Sequence, residues 1–141
     1  MPTKKTKTSE TKRERYFEGI GRRKSAIARA RIFPKEKGIK INGKDFREYF
    51  LLLGLQKKVV APMEKMSVSD DFGADIRVKG GGITGQAEAA RLGISRALVK
   101  FNEDFKKRLR RLGYLTRDPR RVERKKFGLK KARRAPQWRK R

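Results

Sequence analysis

The chain has 141 residues and a mass of 16.4 kDa, with 42 Lys+Arg against 15 Asp+Glu, a formal net charge of +27, and neither histidine nor cysteine. That composition excludes Ser-His-Asp and Cys-His catalysis, zinc held by Cys or His, thiol redox chemistry and disulfides. No apolar run approaches the roughly 18 residues that span a membrane. The first residues lack the apolar stretch of a secretory signal, and Glu10 and Glu14 interrupt their basic character, unlike a mitochondrial presequence. The expectation is a cytoplasmic, soluble, very basic protein with no membrane role, whose partner is a polyanion.

Charge divides the chain into three parts. Residues 1–15 hold six cations and two carboxylates and read as a disordered basic leader. Residues 16–116, with 23 cations and 11 carboxylates, read as a globular RNA-binding domain. Residues 117–141 hold 13 cations and two carboxylates and too little apolar surface to fold alone, so they read as an extended basic tail that orders on a partner.

In chain order, residues 16–20 predict a short strand, and Gly21-Arg22-Arg23-Lys24 a basic turn. Residues 25–33 alternate, with Ala26, Ala28, Ala30 and Ile32 on one side and Ile27, Arg29, Arg31 and Phe33 on the other. That period of two predicts a strand with a small-residue face on the core and arginines toward water or phosphate. Ile39-Lys40-Ile41 runs into Asn42-Gly43, a hairpin signal. Residues 45–53 predict a short helix with Phe46, Tyr49 and Phe50 on one side. Residues 56–61 fit helix or strand, ended by Pro62. Residues 74–79 predict a strand, broken by Gly80-Gly81-Gly82. Residues 83–101 predict a helix with a stripe of Ala87, Ala90, Ile94, Ala97, Leu98 and Phe101. A second helix, 103–112, turns Phe105, Leu109 and Leu112 inward and is capped by Gly113. The expected class is α+β, a small mixed sheet with helices packed on one face.

Three motifs carry the chemistry. Gly80-Gly81-Gly82-Ile83-Thr84-Gly85 fits G-x-G-x-x-G between a strand and a helix, the dinucleotide-binding context. The acidic residue expected about 20 positions on falls at Glu103 and Asp104, near a helix start rather than at a strand end. A phosphate loop would need Lys then Ser/Thr, but Gln86 and Ala87 stand there. Two readings stay open: a tight turn that lets the helix pack closely on the sheet, or amides that hold one backbone phosphate. The Arg22-Arg23-Lys24 turn is either a solvated cation cluster or a phosphate contact. Asp70, Asp71 and Asp75 read as local turn chemistry in a hairpin rather than an acid–base pair. No metal site, cofactor or catalytic residue is expected.

The tail mixes Phe127 and Trp138 with guanidinium and ammonium groups, while Gly128 and Pro136 oppose continuous helix. Stacking faces among cations suit irregular RNA better than a duplex groove. Residues 128–141 alone reach about 45–50 Å when fully extended. A nucleotide-using kinase, a DNA-compacting protein and a free RNA annealer are the rival classes.

The residues 21–25 with the alanine-rich strand, Ile41-Asn42-Gly43, Val78-Lys79-Gly80-Gly81-Gly82 with Thr84-Gly85-Gln86, and the ending 116–141 together resemble the bacterial-type small-subunit ribosomal protein S9 family. Val122-Glu123-Arg124-Lys125-Lys126 and Lys131-Ala132-Arg133-Arg134 with Pro136-Gln137 are the most specific stretches, and the likeness covers residues 16–141 in order. It implies a fold like domain 2 of ribosomal protein S5, with a left-handed βαβ crossover. It implies a non-enzymatic structural constituent of the small ribosomal subunit, a monomer within the ribosome. Its partners would be small-subunit rRNA in the subunit head, neighbouring head proteins, and the anticodon stem-loop of P-site tRNA, reached by the tail. The implied rRNA-binding residues are Arg22, Arg23, Lys24, Arg29, Arg31, Lys79, Gly80, Gly81, Gly82, Gln86, Arg117, Arg120, Arg121, Arg124, Lys125, Lys126, Lys130 and Lys131. The implied tRNA-binding residues are Arg133, Arg134, Gln137, Arg139, Lys140 and Arg141. Trp138 stands where the family commonly has Phe, and Arg139 where it commonly has Ser.

Overall fold

The computed structural model describes residues 15–140, so the leader 1–14 and Arg141 lie outside the described residues. Five strands and four helices follow in the order β1 (Phe17–Arg23), β2 (Ala26–Pro34), β3 (Gly38–Ile41), β4 (Lys44–Asp45), α1 (Phe46–Tyr49), α2 (Leu53–Lys65), β5 (Phe72–Lys79), α3 (Ile83–Phe101) and α4 (Phe105–Arg111). The sheet order is β1-β2-β5-β3-β4. Only the β3–β5 pair is parallel, and α1 and α2 lie in the connection between those two strands. The protein is a small α+β domain with a five-stranded mixed sheet.

The alternation in β2 works as its sequence implies. Ala26, Ala28, Ala30 and Ile32 are fully buried and the residues between them face outward. Small side chains are needed there because α3 lies close on β1 and β2. A Cβ on Gly21 would stand 1.8 Å from the Ala89 carbonyl oxygen, and one on Gly19 2.2 Å from that of Gly93. Gly21, followed by Arg22, Arg23 and Lys24, suggests a turn in sequence. In the structure β1 runs on through Arg23 instead, because the glycines mark the seam where the helix backbone meets the strand. The turn shrinks to Lys24 and Ser25, with Lys24 at φ 52°.

Asn42 and Gly43 form the expected hairpin, with φ of 50° and 82°. The Asn42 amide does more. Its Nδ2 donates to the Val78 carbonyl (3.1 Å) and its Oδ1 accepts from the Val78 N–H (2.9 Å), extending the β3–β5 ladder beyond the strand end.

Several boundaries differ from the sequence expectations. The helix expected over 45–53 is one turn, α1, capped by the Asp45 side chain accepting from the Arg47 N–H at 2.8 Å. The ambiguous 56–61 segment is helical, and Pro62 lies inside α2 rather than ending it. Its ring removes one N–H, but α2 continues only one turn further, with Val59, Pro62 and Met63 all buried. Asp70 and Asp71 lie in the turn from α2 to β5 rather than in a hairpin, and Asp75 lies within β5. α3 spans the expected residues, but Phe101 is 42% exposed. It still makes edge contacts with Phe17 and Phe72, at ring-centroid distances of 5.4 and 4.8 Å. α4 buries Leu109, but Leu112 is half exposed because the helix has already ended at Arg111.

Candidate nucleic-acid interface

The helices cover one side of the sheet. On the other side the alternation turns outward Glu18, Ile20 and Arg22 from β1, Ile27, Arg29 and Arg31 from β2, Lys40 from β3, and Asp75, Arg77 and Lys79 from β5. The register sets Arg29 opposite Arg77, Ile27 between Arg22 and Lys79, and Asp75 between Arg31 and Lys40. Six cations against two carboxylates make an open, positively charged face. Ile20 and Ile27, at 44% and 45% exposure, supply apolar patches within it. Glu18 lessens the repulsion among the arginines, accepting from Arg29 Nε at 2.5 Å and Arg31 Nε at 3.2 Å. The Arg29 bond, with Arg31 adding to it, holds the Glu18 carboxyl below its ordinary range, and the same bond raises Arg29. The Arg31 guanidinium also sits 4.8 Å from the Tyr16 ring centre. Four of the sequence-predicted residues, Arg22, Arg29, Arg31 and Lys79, therefore share one surface. Arg77 and Lys40 belong to it as well. The alternation of β5 carried the signal for Arg77.

The glycine loop sits at one end of this sheet. Gly80 and Gly81 have φ of +74° and +67°, and added Cβ atoms would lie 2.8 Å from the Ser25 carbonyl oxygen and 2.9 Å from the Ala26 nitrogen. Conformation and space both demand glycine, and the loop seats on the β1–β2 turn. This is the close-packing reading. Gly82 caps α3 from an extended conformation and stays exposed, as do Lys24 and Lys79. Gln86 turns inward. Its Nε2 donates to the Gly80 carbonyl (3.1 Å) and its Oε1 accepts from the Tyr49 hydroxyl (2.8 Å), so it braces the loop against α1.

Arg23 points to the helical side of the sheet. Its side chain is only 12% exposed and pairs with Glu88 of α3 at 2.7 Å and Asp118 at 3.2 Å. It also donates to the Arg120 carbonyl at 2.6 Å. Lys58 of α2 completes the cluster at 3.2 Å from Glu88. Burial pushes the Glu88 carboxyl up, but the Arg23 and Lys58 bonds outweigh it and hold the group below its ordinary range. Asp118 is held well below the carboxylate range by the Arg120 guanidinium and backbone N–H, with Arg23 contributing. Arg23 thus anchors the root of the tail to the domain. A cleft of about 200 Å³ opens beside it, lined by Arg22, Arg91, Tyr114 and Arg120 among others. Arg91 packs over Tyr114 at 5.4 Å. Glu88, Lys58 and Arg91 give no local sequence signal for this role, since it arises only when α2, α3 and the tail root meet.

Residues 116–140 contain no helix or strand. Arg117, Arg120, Arg121, Arg124, Lys125, Lys130, Lys131, Arg133, Arg134, Gln137, Arg139 and Lys140 are exposed, and Lys126 is half-buried. Glu123 pairs with Lys126 and, at 3.0 Å, with Arg133. The Lys130 N–H donates to the Arg134 carbonyl at 2.7 Å, folding that stretch locally. Val122, Phe127 and Trp138 are 91%, 101% and 93% exposed, so both tail aromatics present their rings to solvent. Among the described residues no helix is long and apolar enough to cross a membrane.

The family model described as Ribosomal protein S9/S16 matches residues 21–141, which include every strand, helix and tail residue discussed above except the start of β1. The chain belongs to that family. It is 48% identical over 128 residues to small ribosomal subunit protein uS9 of Thermotoga neapolitana, covering 89% of this chain and 96% of the relative. It is 50% identical over 130 residues to small ribosomal subunit protein uS9 of Thermus thermophilus, covering 91% of this chain and 99% of the relative. Ribosomal protein S9 family membership assigns the chain a structural rather than enzymatic role.

Proposed function

We propose that the protein is a structural constituent of the small ribosomal subunit. It docks on rRNA of the subunit head and extends its tail to the anticodon stem-loop of P-site tRNA. The observation that carries the reading is near-full-length identity with relatives named for that subunit, in a chain whose open sheet face is cationic. Arg22, Arg29, Arg31 and Lys79 would neutralise rRNA phosphates across that face, with Lys24 and Gly80 to Gly82 contributing at its end. Arg117, Arg120, Arg121, Arg124, Lys125, Lys126, Lys130 and Lys131 would follow the rRNA, and Phe127 offers a base-stacking ring. Arg133, Arg134, Gln137, Arg139, Lys140 and Arg141 are the candidates for tRNA contact. Arg23 and Gln86 are better read as supports for these contacts, since their polar groups are held within the protein.

The crossover between the parallel strands β3 and β5 is proposed to be the left-handed one that the resemblance implies. The test of function has two steps. The tagged protein should sediment with small subunits at about one copy each in moderately high salt. Deleting residues 139–141 should then leave that incorporation intact and weaken P-site tRNA retention. Sedimentation at the top of the gradient, or with DNA, would refute the ribosomal reading. Unchanged tRNA retention would refute the role of the tail tip.

A further inference from the structure

Three consecutive leucines stand in the open. Leu51, Leu52 and Leu53 are 84%, 68% and 71% exposed, and Gly54 after them has nothing within 4 Å of an added Cβ. The segment is not loose. Phe50 before it is fully buried and Leu55 after it is 7% exposed. Gln56 reaches back to donate to the Phe50 carbonyl at 2.6 Å. The fold therefore fixes the leucines outward. Leu52 is also the N-cap of α2, and its side chain makes no capping hydrogen bond. Leucine is among the poorest residues at that position, where Ser, Thr, Asp or Asn would satisfy a free N–H. A local rule broken on a braced, apolar, solvent-facing helix entry is the kind of departure found at functional sites.

We propose that residues 51–54 are a docking surface for another protein, one that presents an apolar patch rimmed by Asp and Glu. The inference extends the ribosomal reading above by giving a neighbouring protein its place on this chain. The occupant follows from chemistry. Leucine has neither a ring for stacking nor a group for base edges, so RNA gains little here. Among the exposed residues that flank the leucines in sequence, Lys44, Arg47 and Lys57 outnumber Asp45 and Glu48, so the complementary rim is acidic. A second copy of a chain at +27 is repelled.

The test places a benzophenone amino acid at Leu51 of the full chain in cells and reads adducts across every fraction of a sucrose gradient. The expected adduct is RNase-resistant, and its peptide in the partner is apolar with flanking Asp or Glu. Moving the benzophenone to Gly54 in a Leu51→Ser/Leu52→Ser background should lower that adduct at least tenfold relative to Gly54 labelling alone. Because Ser is a preferred N-cap, the double variant should melt no lower than the parent, which separates docking from folding. An RNase-sensitive adduct, an adduct to a second copy or to the chain's own residues, an undiminished adduct in the double variant, or none at all would overturn the proposal. A protein adduct found only away from the ribosomal fractions would uphold this surface while refuting the ribosomal assignment.

Discussion

Replacing Gly21 by alanine tests the seam that positions the whole helical layer. The new Cβ would sit 1.8 Å from the Ala89 carbonyl oxygen and 2.5 Å from the Gly93 nitrogen. Both are backbone atoms of α3 and cannot swing aside. Restoring ordinary contact near 3.4 Å requires α3 and β1 to part by about 1.6 Å. That displacement lifts Ala90, Ile94, Ala97 and Leu98 from a core in which they are buried. Overpacking costs about 1–3 kcal/mol, occasionally more, and a rigid backbone clash belongs at the upper end. Set against a total stability of about 5–15 kcal/mol, a loss of about 3 kcal/mol lowers the melting temperature by about 10–20 °C. Gly54→Ala is the matched control. It has open space and an ordinary φ at the start of α2, so it should stabilise by about 0.4–1 kcal/mol. Urea unfolding followed by far-UV circular dichroism measures both. The single tryptophan lies at position 138, in the tail, and does not report the fold. A loss below about 1 kcal/mol for Gly21→Ala would refute the close backbone contact.

Two further outcomes follow from the ion pairs and the tail. Glu18, Glu88 and Asp118 are all held below their ordinary range, so the folded state binds fewer protons than the unfolded chain in acid. Their contribution is complete above the unfolded values of about 3.9–4.3 and is lost as pH falls through that range toward the depressed folded values. The urea midpoint should be flat from about pH 8 to 6 and drop below about pH 4.5; a midpoint that rises on acidification would contradict the pairing. Trp138, at 93% exposure, should emit as a solvated indole and be fully quenched by acrylamide in the free protein. On incorporation into a small subunit its accessibility to the quencher should fall severalfold, and unchanged quenching would remove Trp138 from the tail's contacts.

Much of the fold is legible locally, and the misreadings share a cause. The stripe 87–101 gave α3 its limits because a helix on a sheet needs a continuous apolar face. Alternation gave β2 and the Asn42-Gly43 pair gave its hairpin. Gly21 looks like the start of a turn, and only the arrival of α3, some 70 residues later, explains it and Gly19 as strand glycines. Pro62 looks like a stop, and burial in the core keeps it within α2. Leu51 to Leu53 fall within the helix expected over 45–53, but the chain leaves α1 at Tyr49 and turns them outward beside the Gln56–Phe50 brace. At the candidate interface, the excess of positive charge was visible in the sequence, but its division was not. Arg22 and Arg23 are adjacent, yet strand alternation sends one to the open face and the other to Glu88 and Asp118.

The place of β5 in the sheet has a consequence for a nascent chain. It lies between β2 and β3, although it follows both in sequence, so the β1–β2 and β3–β4 hairpins have no common neighbour until residues 72–79 have been made. The apolar side of β2 then stays uncovered until α3 follows. Long-range pairing of this kind must wait for loop closure, and exposed strand edges invite mispairing in the interval. Folding is therefore one late event in synthesis. Residues 117–120 emerge after these elements, and Asp118 can pair with an Arg23 already held by Glu88 only once that event has joined β1 to α3.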